Sequence, residues 1–382
     1  MTGPLHDPGS DHDVVVIGGG LVGMALAHGL VRRGRGVTVL DEGDVAHRAS
    51  RGNFALVWVQ GKGFTMPAYA EWTLRSADFW GDFAVELAGL TGIDVAHSRC
   101  GGFNVCLDGA ELEERAARHA RLHNQLPTAP AFEVLDRSAL LDRLPAIGPD
   151  VVGGTYCRAD GHVNVLRLFG ALHQAAAVQG IRYQPNAAVA AIDPHPHGVS
   201  IRTSRGEICA RTVVLAAGLD NARLAPMVGL EAPVRPQRGQ VMVTEKVSPF
   251  LDYPLGTVRQ TDEGSVMIGD SKEEVGFDNG SNSRVLGVIA DRAVRTFPLL
   301  ARARVVRSWG ALRVMSPDGN PIYDRSTSLP AAYLVTCHSG VTLAAVHAAI
   351  LAPHIADGTW PEELAPFSAR RFGNVSQTAR GV

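Results

Sequence analysis

The run Gly18-Gly19-Gly20-Leu21-Val22-Gly23, directly after the apolar stretch Asp13-Val14-Val15-Val16-Ile17, constrains this chain more than any other feature. An unbroken apolar run of that length suits a strand buried on both faces of a parallel sheet. Residues 21–33 then carry apolar and small side chains at helical spacing, and residues 37–40 (VTVL) form a second strand. Strand, glycine turn, helix and strand make a βαβ unit of about 30 residues, whose right-handed crossover begins a doubly wound α/β sheet. Each glycine of GxGxxG has its own task. Gly18 permits the tight turn, Gly20 removes a side chain where a pyrophosphate approaches, and Gly23 lets helix and strand pack closely. Phosphates would rest on free N–H groups at the helix start, at Leu21 and Val22. Asp41 ends the second strand, where a carboxylate accepts hydrogen bonds from both ribose hydroxyls and disfavours a 2′-phosphate. These residues point to a dinucleotide without choosing between FAD and NAD. A glycine turn with a surface Asp41 is the plainer alternative.

Along the rest of the chain the character alternates. Residues 69–90 place Tyr69, Trp72, Phe79, Phe83 and Leu87 at steps of three to four, the mark of a long amphipathic helix. A charged helix fits 111–123. Asn164 stands at an N-cap position before a helix over 165–179, closed by Gly180. Residues 181–216 read as short strands ending in an apolar strand at 212–216. Strand character returns over 234–245 and 257–268, a helix fits 283–297, and 333–336 with 341–355 form a last strand and a helix. The predicted fold class is therefore α/β, a Rossmann-type dinucleotide domain interleaved with a smaller β-rich α+β domain. The expected division is 11–88, 150–224 and 308–372 for the cofactor domain, and 89–149 with 225–307 for the substrate domain.

Of 382 residues, 36 are Lys or Arg and 38 Asp or Glu, a net charge of -2. That balance, with no basic cluster, argues against a nucleic-acid or anionic-membrane partner. The first ten residues lack the order of a signal peptide, and glycines interrupt the apolar segment 14–31. Five scattered cysteines show no metal-ligand or CxxC spacing. A cytoplasmic protein that holds no metal is expected.

The opening VVVIGGGLVGMALAHGL through VTVLDEG, then Ala49-Ser50-Arg51-Gly52-Asn53, then VVLAAG ending at Ala217-Gly218, and the late Asp318-Gly319 and His338-Ser339-Gly340 together resemble the FAD-dependent D-amino-acid oxidase and glycine oxidase superfamily over nearly the whole length. ASRGNFALVWVQGKG and PVRPQRGQ are most similar to glycine-oxidase-like flavoproteins such as opine or D-hydroxyproline dehydrogenase subunits and hydrogen cyanide synthase subunits. The resemblance implies FAD, with Asp41 and Glu42 at its ribose and residues 49–53 wrapped around flavin and pyrophosphate. It also places Ala217 and Gly218 beside the dinucleotide, and His338, Gly340, Val341 and Thr342 at the isoalloxazine. A helix opening at Val341 would aim N–H donors at negative charge on reduced flavin. His338 could equally be a satisfied structural histidine, and Cys337 reads as a small buried side chain.

Trp309, Leu312 and Arg313 match the family's W-x-x-L-R run, whose arginine holds the substrate α-carboxylate, so Arg313 is the catalytic and substrate-binding candidate. A guanidinium fork fits that carboxylate, though an internal salt bridge is the competing reading. Thr257, Arg259 and Lys272 are further pocket candidates. The implied reaction oxidises the C–N bond of an amino or imino acid, passing a hydride from the α-carbon to flavin N5. The alternative is a flavin subunit that passes electrons to a partner chain, and homo-oligomer or hetero-oligomer both stay open. Met267 stands where sarcosine-oxidase-like relatives carry an oxygen-activating lysine, which leaves the acceptor open.

Overall fold

The computed structural model describes residues 12–43 and 49–373, so the expectations about residues 1–10 and the opening residue 11 of the cofactor domain lie outside it. His12–Ile17 forms the central strand of an eight-stranded sheet. It pairs in parallel with Gly206–Leu215 on one side and Val37–Leu40 on the other. The parallel set extends outward to Ala332–Thr336 and to Arg182–Gln184, and Ile322–Arg325 closes one edge antiparallel. The alternation of the first strand explains why its run is wholly apolar. Val14 and Val16 enter the core beneath the helices Leu21–Arg32, Pro67–Thr91 and Val165–Val178, while Val15 and Ile17 face a second core on the opposite side. Both faces are buried, as in other parallel sheets.

Local signals set the helix ends. Asp108 accepts from Glu111 N at 2.8 Å to start Gly109–Gln125, Asn164 accepts from Arg167 N at 3.2 Å, and Gly180 takes φ +73° after the helix it closes. The helix Pro67–Thr91 is long, but it is studded with acidic and basic residues. Among the described residues no helix is long and apolar enough to cross a membrane, and no group of side chains is suited to a metal ion.

Two strand placements depart from the expected division. Val305–Met315 pairs along its length with Arg235–Lys246, so residues 308–315 belong to a separate four-stranded antiparallel sheet rather than to the cofactor sheet. Gly153–Cys157 likewise pairs with Gly102–Cys106 and Glu133–Asp136 in a three-stranded sheet, although 150 was the expected return to the cofactor domain. Phe103, Leu140, Val258, Ile268 and Phe297 fill a core shared by these two sheets and the helix Ser283–Thr296. Pairing partners distant in sequence determine both boundaries, and periodicity does not report them.

The last helix also differs from expectation. Residues 340–343 form a turn, and helix begins only at Ala344. A wide π turn, His347–Leu351, precedes Ala352–Ala356. Pro353 has no N–H and its ring would press on the carbonyl four residues earlier, a conflict that a widened turn relieves. Gly29 packs against this turn, where an added Cβ would lie 2.3 Å from Ala348 O.

Candidate functional site

The glycine turn has the form of a phosphate cradle. Gly18 adopts φ +113°, a conformation suited to glycine, and donates its N–H to Leu40 O at 2.8 Å. A Cβ on Gly23 would sit 1.9 Å from Gly18 O, so helix and strand touch through bare backbone. A Cβ on Gly20 would meet only Ser50 Oγ, at 2.9 Å, which leaves its other sides open to a ligand. Ser50 Oγ already accepts from Leu21 N at 3.0 Å, an oxygen at the helix start where a phosphate oxygen would be favoured. Asp41 stands at the end of its strand and accepts from Gly19 N (2.7 Å) and Gly43 N (3.0 Å), with Glu42 exposed beside it. Gly218 takes φ +62° next to the same strand ends, and Ala217 N donates to Asn221 Oδ1 at 3.0 Å. Arg51 turns its guanidinium over the Phe169 ring, 4.9 Å from the centroid. These residues suit FAD on geometry: an open cradle, positive helix end and strand-end carboxylate in one line.

Beyond the carboxyl ends of the parallel strands, where ligands of such sheets bind, lies a cavity of about 160 Å³. Ala49, Gly52, Asn53, His338, Val341 and Thr342 line it together with Arg313, so residues expected at the flavin and at the substrate carboxylate share one space. The turn 340–343 is clamped from behind. Thr342 O accepts from Ser76 Oγ (2.6 Å) and Trp80 Nε1 (3.0 Å), and its hydroxyl joins Trp58 N and Leu56 O. Leu343 N is taken by Ser339 O, whereas among the described residues no acceptor engages the N–H groups of Gly340, Val341 or Thr342. The expected donors are thus present on a turn rather than on the first turn of a helix.

Arg313 resolves in favour of neither sequence alternative taken alone. Its guanidinium lines the cavity, yet it also pairs with Asp270 Oδ2 at 2.5 Å and donates to Ser271 O (2.7 Å) and Arg238 O (3.3 Å). A guanidinium has five N–H donors, so part of the fork stays available. Gly239 makes this placement possible: it lies on the same face of the neighbouring strand, and a Cβ there would be 2.3 Å from Arg313 Nη2. Trp309 Nε1 donates to Gly52 O at 3.2 Å, tying the same strand to the 49–53 loop.

The other substrate candidates do not line this cavity. Arg259 is buried, donates to Phe54 O at 2.7 Å and to Met267 Sδ at 2.8 Å, and lines a second cavity with His97 and His162. Its burial holds its pKa down at about 10. Thr257 O accepts from Gly269 N at 2.9 Å in a hairpin, and Lys272 is exposed. Register puts Arg259 on the same sheet face as Arg313 but on the opposite edge strand, level with Arg307 rather than with Arg313, a separation that residue type could not reveal.

Sequence reasoning missed Lys62, Ser339 and Asp160. Lys62 lines the cavity and donates to Ser339 Oγ at 2.9 Å; Tyr69 OH donates to the same oxygen at 2.9 Å, and His338 Nδ1 lies 3.2 Å from it. Burial, with Lys62, Arg313 and Lys272 nearby, drives the His338 pKa well below its ordinary value, so the ring is neutral. Cys337 is a free thiol pushed up to about 12 by burial. Asp160 holds the segment leading to Lys62 by accepting from Val59 N (2.5 Å), Gln60 N (3.1 Å) and Gln60 Nε2 (2.6 Å). Burial raises its carboxyl to about 7 against those bonds. A raised folded-state pKa stabilises most below the unfolded value of 3.8 and loses that contribution as pH rises through about 7. Asp160→Asn is therefore expected to remove part of the decline in melting temperature between about pH 4 and 7; parallel wild-type and variant curves would contradict this. The available clues to Lys62 were its rarity, as one of three lysines in the sequence, and its place in the block ASRGNFALVWVQGKG.

The family model described as DAO, FAD dependent oxidoreductase, matches residues 13–353. The chain is 51% identical over 363 residues to an opine oxidase subunit of Agrobacterium tumefaciens (strain Ach5), covering 94% of this chain and 97% of that one. It is 28% identical to the hydrogen cyanide synthase subunit HcnC of Pseudomonas aeruginosa, over 94% and 96% of the two chains. Among solved structures, the glycine oxidase from Geobacillus kaustophilus superposes with a TM-score of 0.86 at 24% identity, over 94% of this chain and 98% of that one.

Proposed function

The chain belongs to the DAO family of FAD-dependent oxidoreductases, and from that premise we propose that it oxidises the C–N bond of an amino or imino acid, opine-type N-carboxyalkyl amino acids included, as the flavin subunit of a larger assembly. The observation that carries this reading is Arg313 in the cavity lined by Asn53, His338, Val341 and Thr342. Bound FAD would supply the acceptor for a hydride leaving the substrate α-carbon. Gly18, Gly20, Gly23 and Asp41 would hold its pyrophosphate and ribose end, and residues 49–53 with 340–342 would border its reactive end. Arg313 takes the substrate carboxylate on the part of its fork that Asp270 leaves free, which orients the α-carbon. Neutral His338 adds no positive charge beside the amine, favouring the unprotonated form that releases a hydride. The resulting imine is hydrolysed by water.

The assembly rests on the relatives named as opine oxidase subunits, which the chain matches over nearly their whole length. No cluster-ligating cysteine set is present, so an iron–sulfur acceptor would sit in another chain. The deciding experiment is bleaching of the flavin under nitrogen against a panel of amino, imino and N-carboxyalkyl amino acids, which scores the reductive half-reaction whatever the acceptor. Flavin that stays oxidised with every amine would overturn the reading.

A further inference from the structure

The cavity holds a cation that a simple amino acid leaves without a partner. Lys62 lies in Gly61-Lys62-Gly63, where both glycines take positive φ (+82° and +76°), and a Cβ on Gly63 would meet Ala70 N at 2.5 Å. The segment before it is pinned: Trp58 N donates to Thr342 Oγ1, and Val59 N and Gln60 N donate to Asp160. Lys62 is thus placed by backbone and loop packing, unlike a surface lysine free to follow its counter-ion.

Among the described residues no carboxylate lies within ion-pair distance of Lys62, and its one recorded hydrogen bond goes to Ser339 Oγ. Ser339 Oγ accepts hydrogen bonds from Lys62 Nζ and Tyr69 OH, so its own hydroxyl hydrogen is left to donate to His338 Nδ1. Two of the three ammonium donors have no recorded partner. Lys62 is partly buried, and an ammonium drawn largely out of water is ordinarily paired. Burial above all, with the neighbouring cations Lys272 and Arg313, holds its pKa down at about 8 against the opposing pull of Cys337 and of Asp160, which lies beyond ion-pair distance. An anion entering the cavity would relieve that repulsion.

A simple amino acid brings one carboxylate, which Arg313 accommodates. An N-carboxyalkyl amino acid brings a second carboxylate on the far side of the same nitrogen. We propose that Lys62 is the anchor for that second carboxylate, so that the site takes secondary amines bearing two carboxylate arms, one at Arg313 and the other at Lys62. The assignment rests on reading the cavity as an amine-oxidising site, and it makes Lys62 the residue that separates opine-type substrates from simple amino acids.

The test compares the flavin-loaded wild type with Lys62→Met and Lys62→Arg. Expected for Lys62→Met is a rise in KM of about thirtyfold or more for an N-(1-carboxyethyl) amino acid, the scale of losing one partner of a buried charge pair. Its kcat, and both constants for glycine, sarcosine and proline, should change little. Lys62→Arg keeps the charge and should retain the preference. Calorimetry supplies a readout free of turnover. Pairing with a carboxylate raises the pKa of Lys62, so binding of the unreactive thioether 2,2′-thiodiacetate at about pH 8.5 should draw in protons in the wild type and not in Lys62→Met.

An equal loss for one- and two-carboxylate substrates, a fall in kcat with a shifted pH profile, or unchanged constants would each overturn the assignment. If no amine bleaches the wild-type flavin, the amine-oxidising reading fails. The calorimetric comparison still decides Lys62, because thiodiacetate binding unaffected by Lys62→Met overturns it independently.

Discussion

Gly20→Val is expected to purify as a folded but colourless protein. A side chain at this position meets only Ser50 Oγ among protein atoms, at 2.9 Å from the Cβ, so the fold has room for it and the pyrophosphate does not. Gly23→Ala should do more. Its Cβ would lie 1.9 Å from Gly18 O and 3.3 Å from Val16 Cγ1, forcing the helix Leu21–Arg32 off the central strand. Overpacking of that kind costs about 1–3 kcal/mol or more before the lost FAD is counted, and an apoprotein also forgoes the stabilisation that bound ligand confers. Flavin absorbance per chain and melting temperature, measured with and without added FAD, separate the two variants. Added FAD should raise the melting temperature of the wild-type apoprotein and leave that of Gly20→Val unmoved. Full flavin content in Gly20→Val would mean that the phosphates lie elsewhere.

Arg313→Ala carries the second large effect. If the guanidinium holds the substrate carboxylate, reduction of the flavin should weaken by about 2–5 kcal/mol, the range for losing one partner of a buried charge-assisted pair, while flavin content stays near wild type. Arg313→Lys should recover only part, since a point charge cannot reproduce a two-pronged contact. The bond to Asp270 adds a control. Asp270→Asn removes the charge pair but leaves Arg313 its bonds to Ser271 O and Arg238 O, so a purely structural role predicts that both variants lower the melting temperature, Arg313→Ala the more, and leave reduction intact. Gly239→Ala reaches the same site from behind. Its methyl group would displace the guanidinium, so it should reproduce the reduction defect of Arg313→Ala without altering either member of the ion pair. An unchanged reduction rate in a stable, flavin-loaded Arg313→Ala protein would remove Arg313 from the site. Arg259 would not replace it, because it faces the other cavity.

Much of the cofactor half was legible in the linear chain because its signals are local. A strand buried on both faces must be apolar at every position, as Val14 to Ile17 are; a turn over phosphates must be glycine at set places; and a carboxylate at the ribose must end the next strand, as Asp41 does. Spacing along one segment carries all of this, and the parallel sheet around His12–Ile17 has the form those residues demand. The substrate half was legible only as a list of types. Arg313 and Arg259 are both arginines on one face of one sheet, and the choice between them depends on strand order and register, which set them on opposite edge strands and at different levels, a matter of pairing across many residues. Lys62 lay inside the block ASRGNFALVWVQGKG that carries the resemblance, but nothing in that block gave it a role. It becomes informative only when Ser339, 277 residues along the chain, is found 2.9 Å from its ammonium and, among the described residues, no carboxylate is found within ion-pair distance. Contacts of that range leave no periodic trace, since sequence patterns record which face of an element is buried and not which distant side chain meets it. The turn at 340–343 shows the same limit locally. Small apolar residues continue across it, and it is the side chains of Ser76 and Trp80, on a helix far earlier in the chain, that take the carbonyl of Thr342 and hold the turn in place.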